Sequence, residues 1–107
     1  MNVFTALQMI QIDHQELNPN IVFVTDEEGK PDNVLSGLVH DVLTNVAIFA
    51  DLHTARDAED LIDQLHANTP LPDDVLDEYR KILEQEIAGI NFSAHKQVVE
   101  LIYRPLL

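Results

Sequence analysis

Cysteine and tryptophan are absent from this 107-residue chain, glycine occurs only three times, and lysine and arginine together number six. Without cysteine there is no disulfide framework and no thiolate metal site, a composition compatible with a reducing cytosol. No glycine-rich loop is present to cradle phosphate, and the two serines Ser36 and Ser93 lie in no nucleophile-elbow context. No apolar run approaches the roughly 18 residues of a membrane span. The first residues carry no basic n-region of the kind that marks a secretory signal. Cytoplasmic localisation is the resulting expectation.

The scarcity of positive charge sets the other boundary. Nineteen aspartates and glutamates oppose the six cations, a formal charge of −13. Between Asp51 and Glu78 the acids Asp51, Asp57, Glu59, Asp60, Asp63, Asp73, Asp74, Asp77 and Glu78 face Arg56 alone. A field of that sign repels phosphate backbones and excludes direct nucleic-acid binding as the first expectation. It attracts basic protein surfaces and speeds their encounter. The plain alternative is that the charge keeps a small protein in solution.

What is present is hydrophobic pattern: 46% of the residues are apolar, which argues against disorder. The richest stretch runs from Val34 to Ala50. At 100° per residue Val34, Leu35, Leu38, Val39, Val42, Leu43, Val46, Phe49 and Ala50 share half of a helical wheel, and only Asn45 intrudes among them. Ser36, His40, Asp41, Thr44 and Asp51 occupy the other half. Pro31 and Asp32 suit the start of this helix, and Leu38, Val42, Val46 and Phe49 are its expected core.

A helix is also expected over Val3 to Gln15, stopped by Asn18-Pro19-Asn20. Residues 20–25 favour an extended segment by their β-branched and aromatic content, with a short helix as the rival reading. Such a strand needs a partner, either residues 7–12 or its own copy in a two-fold homodimer. Thr54 is the expected cap of a helix over 55–67, with Asp57 three residues on. Pro72 starts a further helix from Asp73 to Gly89, in which Asp77 and Lys81 form an i,i+4 pair. Ser93 caps a last helix, Ala94 to Tyr103, ended by Pro105. These elements define an all-α fold, a small bundle of about five helices in a single domain over 1–107, with one short extended segment admitted at 20–25.

Three groups of polar residues suggest chemistry. His40-Asp41, with His14 upstream and Asp57 or Asp60 downstream, could hold a divalent metal that activates water, but both side chains fall on the solvent half of the wheel. Asp57, Asp60 and Asp63 have the i,i+3 spacing of magnesium-binding pairs, yet they face away from the apolar stripes and so do not converge on a cleft. Glu86 and His95 each fall within an apolar stripe and are expected to meet, a contact that could act as a proton-sensitive latch.

The leading expectation is therefore a non-enzymatic acidic interaction protein, an inhibitor, immunity or adaptor-type regulator of a basic protein. Its carboxylates would imitate a row of phosphates. The partner-binding residues are Asp57, Asp60, Asp63, Asp73, Asp74, Asp77 and Glu78, with no catalytic residue, metal or cofactor. The alternatives are a small metal-dependent phosphohydrolase-like enzyme using His40 and Asp41, and a structural or assembly subunit.

Overall fold

A computed structural model of the chain describes residues 1–14, 21–93 and 98–103, without the side chains of 11–14 and 93. The elements are α1 (Val3–His14), β1 (Val22–Thr25), α2 (Asn33–Phe49), α3 (Ala58–Asn68), α4 (Asp73–Leu83), β2 (Ile87–Ser93) and β3 (Val98–Tyr103). The strands form one sheet in the order β1-β3-β2. The fold is thus mixed α/β and not an all-α bundle of five helices.

The correction falls at the C-terminal end. The fourth helix does not continue to Gly89: it closes at Leu83, where the Glu84 and Gln85 amides bond back to Arg80 and Ile82. From Ile87 the chain is extended, and the expected helix at 94–103 is replaced over 98–103 by β3. Val98, Val99, Leu101 and Ile102 fit a helical spacing, but Val99 and Leu101 also alternate with Glu100, and only those two are buried. Pairing decides between the two periods. β3 lies antiparallel to β2, with Ile90 opposite Leu101 and Asn91 opposite Glu100. It lies parallel to β1, with Val22 opposite Val99 and Val24 opposite Leu101. The strand at 22–25 therefore finds its partner at the far end of its own chain, while residues 7–12 are helical.

The four described helices share one core with this sheet, which buries Val22, Val24, Val99 and Leu101. Asn2 caps α1, its Oδ1 accepting from the Thr5 amide at 2.9 Å, and α1 buries Val3, Phe4, Ala6, Leu7 and Ile10. Asp32 caps α2 by accepting from the Val34 and Leu35 amides. The cap of α3 is Asp57, which accepts from Asp60, and not Thr54. The α3 stripe of Leu61, Ile62 and Leu65 meets Leu76, Tyr79, Ile82 and Leu83 of α4. No described helix is long and apolar enough to cross a membrane.

The central helix is turned from its expected orientation. Val42 and Val46 are buried, but so are Val39, Leu43 and Ser36, whereas Leu38 and Phe49 are only half-buried. Ser36 is buried because β1 is an edge strand. The Val24 amide donates to Ser36 Oγ at 2.9 Å, the hydroxyl faces the Val24 carbonyl, and His40 Nε2 donates to the Val22 carbonyl. Two side chains of α2 thus replace a fourth strand along β1. Among the described residues, β1 has β3 on one side and, on the other, α2 with the Asp32 amide, which donates to the Val24 carbonyl at 2.8 Å. Asn18-Pro19-Asn20, His95 and Pro105 lie outside the described residues.

Candidate functional site

The seven expected partner-binding acids divide into two groups. Asp57 is bound up in the α3 cap. Asp60 accepts the Arg56 amide at 3.0 Å and pairs with the Arg56 guanidinium at 3.6 Å. The amide, more than the guanidinium, holds the Asp60 carboxyl below the usual aspartate range. Asp77 pairs with Arg80 at 2.6 Å, and the expected Asp77–Lys81 pair is not the one formed. Arg80 also takes Glu59 of α3 through two bonds, at 2.7 and 3.2 Å, a bridge between α3 and α4 that is the main cause of its raised guanidinium pKa, with Asp77 adding to it. The other four, Asp63, Asp73, Asp74 and Glu78, are exposed, and none has an ion pair among the described residues. Asp73 and Asp74 sit in the first turn of α4, where the helix dipole favours them.

Among the described residues the metal arrangement does not assemble. His40 directs Nε2 to the strand edge, while Asp41 is exposed one step round the helix, and Asp57 and Asp60 are engaged at the start of α3. The His14 side chain is outside the described residues. Among the described residues no three His, Asp or Glu side chains are grouped to hold a metal ion. Glu86 does not lie in a helical stripe: it precedes β2, is exposed, and pairs with the Met1 ammonium at 3.2 Å.

A groove of about 440 Å³ runs between α2 and α4. Val34, Leu35, Gly37 and Leu38 line it from α2, and Ile82 from α4; Asp41, Glu78, Lys81 and Gln85 supply its polar rim. Val34 is 80% exposed, although it belongs to the most apolar stretch of the chain. Behind the groove the Tyr79 hydroxyl accepts from Asn45 Nδ2 at 3.0 Å. That bond explains the polar residue within the apolar half of α2. Burial pushes the Tyr79 phenol pKa up; the Asn45 bond opposes this, and the charges of Asp41 and Glu78 add to it. The two carboxylates thus act on one point from opposite helices.

Sequence reasoning named Glu78 but missed the groove. Its signal was Gly37, a glycine inside a helix where it is worth about 1 kcal/mol less than alanine. Compared with known proteins, the chain matches no family model, no curated protein and no solved structure.

Proposed function

We propose that this chain is a non-enzymatic acidic interaction protein, of inhibitor, immunity or adaptor type, that binds a basic protein surface. The supporting observation is the state of the charges on α3 and α4. The arginines near them, Arg56 and Arg80, are already engaged, while Asp63, Asp73, Asp74 and Glu78 stand in solvent without an ion pair among the described residues. Exposed carboxylates on two packed helices present negative charge without needing a cleft or a metal. A basic patch that normally holds phosphates is the matching surface. Such steering acts over about 8 Å at physiological ionic strength and weakens as salt rises.

The test is retention of a host-extract protein on the immobilised chain, repeated with Asp63→Asn, Asp73→Asn, Asp74→Asn and Glu78→Gln combined. A basic partner is expected to bind at low salt, to be displaced by salt or by duplex DNA, and to be lost by the neutralised variant. Equal retention by the folded variant, or a partner whose binding is indifferent to salt, would refute the proposal.

A further inference from the structure

We infer that the α2–α4 groove is the anchoring site for an amphipathic helical segment of that basic partner, with apolar side chains seated on Leu35, Leu38 and Ile82 and lysines or arginines beside Asp41 and Glu78. The inference rests on the proposed function and deepens it by giving the partner an apolar anchor. Long-range charge speeds encounter but contributes little to holding two surfaces together; buried apolar anchors supply that.

Three features of the groove agree. The first is its floor. Leu35 and Leu38 are half-buried and Val34 is almost fully open, so the most apolar helix of the chain keeps part of its stripe uncovered. The second is Gly37. An added Cβ there meets nothing within 4 Å, and its backbone is not in the left-handed region. Neither packing nor conformation therefore requires glycine, the poorest helix former after proline. Its absent side chain keeps the groove open to a close approach. The third is charge. Asp41 and Glu78 stand on opposite rims, without an ion pair among the described residues, and outnumber Lys81, the single cation there. A formal charge of −13 opposes a second copy of the chain in this place and favours a basic occupant. A groove walled by two helices, with no strand edge in it, suits a helix laid along it by i, i+3 and i+4 anchors.

Two synthetic peptides of leucine and lysine provide the probe. One has leucines at i, i+3, i+4 and i+7; the other has the same composition scrambled. Binding is read by calorimetry and by NMR of the methyl groups. The patterned peptide is expected to shift the Val34, Leu35, Leu38 and Ile82 methyls. Gly37→Met, which fills the groove and improves helix propensity, should weaken binding by about tenfold, a loss typical of one anchoring contact. Its Tm should match or exceed that of the parent. Asp41→Asn with Glu78→Gln should weaken binding mainly at low salt.

Equal binding of both peptides with shifts confined to α3 and the start of α4, unaffected by Gly37→Met, overturns the groove while leaving the basic-partner reading in place. If neither peptide binds at low salt, both the groove and the basic-partner reading are removed. Groove methyl shifts that appear on concentrating the protein alone would assign the site to a second copy and overturn the inference.

Discussion

The α3–α4 pair and the three-stranded sheet bury similar side chains but are secured differently. The helices are neighbours in sequence, joined by the short segment 69–72, and their apolar stripes meet beneath an exposed Glu59–Arg80–Asp77 network. The sheet joins strands from both ends of the chain, with β3 in the middle. Its edges are met by a few groups each: the Ser36 and His40 side chains and the Asp32 amide along β1, and the Met1 carbonyl at the start of β2, accepting from the Ile87 amide. Redundant local contacts should make the helical pair tolerant. The sheet should be sensitive wherever one side chain has no substitute.

The largest expected effect is at the middle of the central strand. Leu101 is fully buried and stands beside Val24 on one side and Ile90 on the other. Leu101→Ala should lower the unfolding free energy by about 4 kcal/mol, toward the upper end of the usual range for buried leucine. Leu65→Ala in α3, equally buried, should cost about 3 kcal/mol because its neighbours are adjacent in sequence and can close in. Urea titrations of the two variants check the order, and the reverse order would break the comparison.

Ser36→Ala comes next, at about 1–3 kcal/mol, because it leaves the buried Val24 amide without an acceptor. Hydrogen exchange at that amide should quicken more than at other β1 amides. Thr44→Ala serves as the contrast. Its hydroxyl donates to the His40 carbonyl on the exposed side of the same helix, so its removal should cost under about 0.5 kcal/mol. Equal losses would mean that α2 does not serve as the missing strand.

These same differences decide what could be read from the sequence. α1, α2 and α3 were legible because their apolar residues recur at helical spacing and their ends carry local signals, although Asp57 took the capping role expected of Thr54. The acids Asp73 and Asp74 correctly marked the start of α4. Its end was not legible, because Ile87 and Ile90 extend the helical stripe by spacing alone. β3 was missed for a related reason: Val98, Val99, Leu101 and Ile102 satisfy either period, and the partner that settles the matter, Val22–Thr25, lies at the other end of the chain. Ser36 and His40 were placed on a solvent face because a helical wheel has no knowledge of a strand edge. Of the groove's charged rim, sequence reasoning named Glu78 for partner binding and Asp41 only as a metal ligand. The apolar half was hidden because Val34 and Leu38 look like core residues until the surrounding helices are in place.

The smallest expected effect concerns the feature that looks most like a fastening. Arg80 makes three bonds to two carboxylates, yet about a third of its side chain is exposed, and Glu59 and Asp77 are more exposed still. Solvent and salt screen such a network, and each long side chain loses freedom when held in it. Arg80→Gln should therefore cost only about 0.2–1 kcal/mol at low salt, a difference that shrinks toward zero near 1 M salt. Thermal melts at graded ionic strength measure it. The apolar seam below, with Leu61, Leu65 and Leu83 fully buried, would continue to hold α3 on α4. A salt-independent loss above about 2 kcal/mol would instead make Arg80 the true join of the pair. The helical side would then depend on one residue just as the sheet edge depends on Ser36.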